Sequence, residues 1–185
     1  MRSVHCHDLI ETLNSIPENY FDLETVADCL KTHPITQDSL QSYLYFDSDH
    51  PTRNLVFKND LFELTAACWS VGQSSPVHSY PGRRSWIALF SGRLRLHTYQ
   101  ASEADRSPLG LTDDFEIEPG LPAVISPAEP IHQLVNLASF NQPAVSLHIY
   151  SPPVGEQIVY GINGNQRSIR HPSYDSRYGN RDHLA

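Results

Sequence analysis

The feature that most restricts the fold of this chain is a change of hydrophobic period at Arg53. Upstream, HDLIETLNSI sets Leu9, Ile10, Leu13 and Ile16 on one stripe, and DLETVADCLKT does the same with Leu23, Val26, Ala27 and Leu30. Residues three and four apart share one face of a helix. Asp22 stands three residues before Thr25, with Glu24 in the first turn, as an N-cap would. Downstream the period falls to two. RNLVFKN, LFELTAACWSV, SWIALFSGRLRLHTYQ, AVISP, HQLVNL and AVSLHIYSP are short β-branched or aromatic runs parted by Gly, Pro, Ser and Asn, the pattern of an all-β sandwich or closed barrel. The expectation is a single domain with a helical cap over 1–50, a β-barrel over 51–160 and an irregular tail over 161–185.

A chain of 185 residues buries roughly two thirds of its unfolded surface in one core and needs no disulfide or structural metal for stability. Thirteen basic against twenty-one acidic residues give 13 − 21 = −8. With no block of five like charges, this excludes the usual footprint of a nucleic-acid or anionic-membrane binder. No apolar stretch approaches the ~20 residues that span a bilayer. Cys6, Cys29 and Cys68 are odd in number and irregularly spaced, and MRSVHCHDLIETLN lacks the apolar centre of a signal peptide. A reducing cytoplasm and free thiols are expected.

Chemistry concentrates between 72 and 92, where Gly72, His78, Tyr80, Ser85 and Gly92 follow a known spacing. The first metal-binding motif of the cupin barrel runs Gly, five residues, His, one residue, His, four residues, an acidic or variable position, six residues, Gly. Tyr80 stands where the second histidine belongs. Pro127, Glu129, His132 and Asn136 stand at the spacing of the second cupin motif, three of the four positions agreeing, with Glu129 at its variable or glycine position. Imidazoles from separated strands that meet inside a barrel are what a divalent ion needs.

Further stretches carry a more specific resemblance: RNLV at 53–56, ELTAACW at 63–69, SSPVHSY at 74–80, SGRLRLHTY at 91–99 and PAVSLHIYSPP at 143–153. Over nearly its whole length the chain resembles cysteine dioxygenase, a thiol dioxygenase of the cupin superfamily. That resemblance implies an all-β cupin, a small barrel or jelly roll, preceded by helices. It implies ferrous iron held through three histidine positions, which fall here on His78, Tyr80 and His132. It also implies a substrate-gripping arginine, Arg53, and a relay of Ser146, His148 and Tyr150 whose tyrosine hydroxyl reaches substrate and dioxygen.

The residues themselves fit these roles. A guanidinium matches a carboxylate with two parallel hydrogen bonds, and Ser146, His148 and Tyr150 lie two apart on one strand and share a face. Tyr80 leaves three readings open: a phenolate ligand, a hydrogen-bond donor to a metal-bound group, or a side chain that has left the site. With one nitrogen missing, the protein discriminates less among divalent ions. Iron(II) stands first, nickel(II) second, and copper(II) with Tyr80 as ligand third.

Two more departures matter. Ser85 replaces the cysteine that mammalian members crosslink to their active-site tyrosine, so no thioether joins it to Tyr150, and Pro51 removes a tyrosine hydroxyl. Cys68 and Trp86 read as core, and His97, His171 and His183 as surface or structural residues.

Three functions follow from these residues. The first is a metal-dependent oxygenase of a small thiol carboxylate, with L-cysteine foremost and dioxygen as co-substrate. The second is a variant that diverts the same substrate to a different sulfur-oxidised product in specialised metabolism, and the third a non-catalytic cupin that binds a small ligand.

Overall fold

The computed structural model describes residues 3–101, 108–128, 131–161 and 167–181. Three helices come first: α1 (Cys6–Ser15), α2 (Leu23–Thr32) and α3 (Gln37–Leu40). Strands follow as β1 (Thr52–Lys58), β2 (Glu63–Trp69), β3 (Val77–Ser79), β4 (Arg84–Ser91), β5 (Arg95–Gln100), β6 (Gly110–Glu116) and β7 (Ala123–Ile125). The remainder are β8 (His132–Val135), β9 (Ala144–Ser151), β10 (Gln157–Tyr160), β11 (Arg167–Arg170), β12 (Ser176–Arg177) and β13 (Asn180–Arg181). They form two sheets, ordered β13-β12-β1-β2-β9-β4-β7 and β11-β10-β3-β8-β5-β6. This is the cupin fold with N-terminal helices.

Helices α1 and α2 begin where a side chain satisfies their first amides. Asp22 accepts from the amide of Thr25 at 2.8 Å, the cap expected from its position. At α1 the cap is His5, whose Nδ1 accepts from the His7 amide while Asp8 accepts from the His5 amide, a reciprocal box of the kind usually built from Ser or Thr and Glu. The buried stripes, Cys6, Leu9, Ile10 and Leu13 on α1 and Val26, Ala27, Cys29 and Leu30 on α2, pack on the first sheet.

That sheet is therefore covered on both faces, and β2 and β9 are buried at every position. Along β9, Leu147 and Ile149 meet the helices together with Val56, Leu64 and Trp86. The alternate residues Ser146, His148 and Tyr150 point the other way, into the barrel, because successive side chains on a strand leave opposite faces. Trp86 is the fastener: fully buried, it lies edge-on to Phe21 and donates its indole hydrogen to the carbonyl of Leu23 at 2.9 Å. A second core of Ala67, Trp69, Ile87, Leu89, Leu96 and Leu134 joins residues of the two sheets.

The structure corrects the sequence reading in two places. The run SWIALFSGRLRLHTYQ is two strands in different sheets, β4 and β5, parted by Gly92. Gly92 has φ 78°, and a Cβ there would overlap the carbonyl oxygen of Pro143 and lie 2.6 Å from Cα of Ala144, so only glycine fits the corner.

The tail expected to be irregular contains β11, β12 and β13. β11 pairs with β10, and β12 runs parallel to β1 with Asn54 opposite Ser176. Polar groups hold it there, which a hydrophobic period cannot reveal. Asp175 accepts from the Arg53 amide at 2.7 Å and donates its own amide to the Arg53 carbonyl at 2.9 Å. Ser176 donates to the Asn54 side chain at 2.8 Å and Tyr45 to the Gly179 carbonyl at 2.6 Å.

Among the described residues no helix is long and apolar enough to cross a membrane. Cys6, Cys29 and Cys68 are buried free thiols, each pushed up to about 11 by loss of solvent, so none is a reactive thiolate.

Candidate active site

His78 on β3 and His132 on β8 stand directly opposite each other in antiparallel register. Their ring centroids are 4.4 Å apart, and both residues are buried. Pro76, two residues before His78, offers a carbonyl that accepts from Nδ1 at 2.8 Å. The hydrogen is thereby fixed on Nδ1, and the Nε2 lone pair is left for another partner. Burial, reinforced by His132, brings the His78 ring down to about 3, so the imidazole is neutral at physiological pH.

Tyr80 has not left the site. It is buried, with its ring centroid 5.0 Å from His78, 6.3 Å from His132 and 4.9 Å from Tyr150. Burial raises its hydroxyl above the ordinary phenol value, and the positive charge of Arg53 works against that rise. Among the described residues no three His, Cys, Asp or Glu side chains converge. The donor set beside the cavity is two imidazoles, that of His78 neutral, and one phenol oxygen, which fits a divalent ion of borderline softness. A site closed by three histidines it is not.

On the facing wall, β9 supplies a continuous hydrogen-bonded chain. The Trp69 indole donates to Ser146 Oγ at 2.9 Å, Ser146 Oγ lies 2.7 Å from His148 Nε2, and His148 Nδ1 lies 3.2 Å from the Tyr150 hydroxyl. Burial first, then His132 and Arg53, lower His148 to about 3, and burial raises Tyr150 well above 10. A neutral imidazole donates from one nitrogen and accepts at the other. In the sense Ser146 to His148 to Tyr150, the phenol oxygen accepts from the ring and its own hydrogen is left uncommitted to the relay. Trp69 was not singled out as part of this network.

Arg53 lines the same cavity, but it is not the isolated fork expected of it. Its Nη2 makes an ion pair with Glu63, its guanidinium lies 4.5 Å over the Tyr174 ring and 5.6 Å over the Tyr150 ring, and its buried Nε has no hydrogen-bond partner. Glu63 was missed. Its signal was present, since a lone carboxylate inside LFELTAACW, a run that buries every position of β2, must be partnered. Tyr174, whose hydroxyl donates to Glu63 at 2.6 Å, offered no signal.

The cavity holds about 460 Å³ and is bounded by Arg53, His78, Tyr80, His132, His148 and Tyr150. That volume is in the range of small-ligand sites. Pro51 also lines it, and Ser85 is buried opposite Tyr150 across β4 and β9.

Asn136 of the second motif is structural. Its amide donates to the carbonyls of Trp69, Ser70 and Gln142. Glu129 and His183 lie outside the described residues. His97 pairs with Asp114 at 3.2 Å. His171 is exposed, bonds the Gly155 carbonyl at 3.1 Å and also lines the cavity.

The family model described as cysteine dioxygenase type I matches residues 3–161. The cysteine dioxygenase type 1 of Danio rerio is 26% identical over 184 residues, spanning 98% of this chain and 91% of that protein. The enzyme of the same name from Rattus norvegicus is 25% identical over 174 residues, spanning 93% and 86%. Among solved structures, a Klebsiella pneumoniae protein with a double-stranded beta-helix domain superposes with a TM-score of 0.50 at 16% identity, over 72% of this chain and 88% of that one.

Proposed function

Because the chain belongs to the cysteine dioxygenase type I family, we propose that it is a metal-dependent cupin dioxygenase that uses O2 to oxidise the sulfur of a small thiol carboxylate, with L-cysteine as the first substrate. One observation carries this reading. A pair of buried imidazoles, a half-buried arginine and the Ser146–His148–Tyr150 relay open onto one cavity large enough for an amino acid. In overall balance a thiol and O2 give a sulfinic acid, both oxygen atoms ending on sulfur.

His78 and His132 would hold the ion, with Tyr80 as the third protein donor. Iron(II) is first, nickel(II) second and copper(II) third. The ion supplies the redox chemistry and the meeting place for sulfur and dioxygen. The chain's own residues do the rest.

Arg53 takes the substrate carboxylate through its unpartnered Nε, a buried donor that otherwise carries the full cost of an unmade hydrogen bond. Tyr150, oriented by His148 and Ser146, places its hydroxyl hydrogen toward a developing negative charge and can return it. Trp69, Tyr80 and Leu134 on the cavity wall keep water from the reacting sulfur. In this reading the cap, the barrel and the paired tail act as one unit.

The test is reconstitution with Fe2+ or Ni2+, addition of L-cysteine and measurement of oxygen uptake. Absence of uptake with every thiol carboxylate tried removes the reading.

A second reading has its own observation. Tyr80 sits against both His78 and Tyr150, so a phenol occupies the place of a nitrogen donor beside the reacting atoms. A coordination sphere opened in this way suits a variant that carries cysteine to a different sulfur-oxidised product. Mass spectrometry separates the two: cysteine sulfinate as sole product counts against the variant.

A further inference from the structure

We propose that Glu63 is the internal counter-ion of this pocket, a positioning residue that holds Arg53 and sets cation binding at the His78–His132 pair against anion binding at Arg53. The inference rests on His78 and His132 as metal-binding residues, and adds a residue that belongs to neither the metal motifs nor the relay.

Glu63 opens β2 opposite Tyr150 of β9 and is fully buried. Such a carboxylate persists only with its oxygens partnered, and here Oε1 meets Arg53 Nη2 while Oε2 accepts from Tyr174 at 2.6 Å and lies 3.6 Å from Lys58 Nζ. Arg53, with a side chain 15% exposed against 0% for Glu63, would otherwise be a nearly bare cation on the wall of the cavity that His78, His132 and His148 share.

Two consequences follow from this pairing. First, Nη2 is occupied, so on that edge of the guanidinium a carboxylate finds Nε alone rather than the two-pronged fork that makes arginine a strong carboxylate binder. Second, the positive charge of Arg53 is compensated. A divalent ion beside it meets less repulsion, and an incoming anion meets less attraction. Removing the Glu63 charge must move these two affinities in opposite directions, and a merely structural role has no reason to do so.

Glu63→Gln keeps the shape and an acceptor for Arg53 while deleting the charge. In the substrate-free protein its affinity for Ni2+, measured by calorimetry, is expected to fall by at least about tenfold, because a unit charge lost near a divalent ion is only partly screened in a protein interior. In the Ni2+-loaded, oxygen-free protein the preference for L-cysteine over cysteamine, which lacks the carboxylate, is expected to rise by a similar factor. Tyr174→Phe removes one hydrogen bond and no charge, and should leave both quantities within about twofold. Arg53→Gln reverses the first sign, so that Ni2+ binds more tightly, and this arm keeps the proposal testable if Glu63→Gln does not fold.

The proposal is overturned if Ni2+ affinity and carboxylate preference move together or stay fixed in folded Glu63→Gln. It is equally overturned if Tyr174→Phe reproduces the effect, or if Arg53→Gln weakens Ni2+. Wild-type protein that binds Ni2+ and L-cysteine yet yields no oxidised product removes the dioxygenase reading and leaves the role of Glu63 standing. Wild type that oxidises cysteine with no shift in Glu63→Gln removes the role of Glu63 alone. A wild type that binds neither Fe2+ nor Ni2+ overturns both.

Discussion

Tyr80 carries the sharpest consequence of a single side chain. Its ring packs 5.0 Å from His78, so the position lies within reach of whatever the two imidazoles hold. Tyr80→His is expected to tighten divalent-metal binding relative to wild type and to move product toward cysteine sulfinate, checked by calorimetry and by mass spectrometry of the reaction mixture. Unchanged metal affinity would mean that the third donor does not come from this position. The positions of His78 and His132 were legible from motif spacing and the shared face of Ser146, His148 and Tyr150 from alternation, whereas the roles given to Arg53 and to the relay rested on the family resemblance. Glu63 was legible only as a buried carboxylate in need of a partner and Tyr174 not at all, because they meet across 111 residues of sequence and spacing says nothing about what a carboxylate touches. Asp22, by contrast, was legible because a cap is settled within three residues.

At the level of elements, the cap and the barrel share one apolar core, within which the hydrogen bond of Trp86 to the Leu23 carbonyl and its edge contact with Phe21 bridge β4 to the start of α2. Trp86→Ala is expected to cost about 3–5 kcal/mol through lost burial and the cavity left behind, measured by urea unfolding. Equal loss in a cap-deleted protein would show that the tryptophan serves the barrel rather than the junction.

The tail strap has a different chemistry. His50 bonds Asp175 at 2.8 Å and lies 3.4 Å from Asp47. Its value is raised by the Asp175 hydrogen bond, partly opposed by burial, with Asp175, Asp47 and Asp49 adding to the rise. A histidine raised in the folded state contributes stability that is fully present below its unfolded value, near ~6.5, and is lost as pH climbs through the raised value. Limited proteolysis of the tail is therefore expected to quicken from pH 6 to pH 8.5, and His50→Gln should flatten that dependence. This strap was illegible beforehand because Asp175, Ser176 and Asn54 join through side-chain hydrogen bonds in a segment whose polarity reads as loop.

For the whole molecule, the site's histidines contribute to the acid limb of stability, alongside carboxylates such as Asp22, Asp47 and Asp114 that are held low. In the metal-free protein His78 and His148 sit at about 3, against ~6.5 in an unfolded chain. Between those values the unfolded state binds more protons, so stability falls as pH falls, by up to about 1.4 kcal/mol per pH unit for each ring. Thermal unfolding from pH 7 to pH 4 should show this slope, and His148→Asn should reduce it. A slope unaltered in that variant would move the origin of acid sensitivity to the carboxylates. The order of cap then barrel was visible in the change of period at Arg53. The splitting of the sheets at Gly92 was not, since φ 78° and a carbonyl pressed against the α-carbon are facts of three dimensions.

The closure of Asp175 onto the backbone of Arg53, across 122 positions of chain, imposes an order on synthesis. While the ribosome still holds the last strands, the imidazole pair and the relay have already emerged, yet the arginine has no strap to hold it. If Arg53 grips a substrate carboxylate as proposed, that grip is completed only after Asp175 has emerged and closed on the Arg53 backbone, and truncation before Asp175 is expected to weaken carboxylate preference.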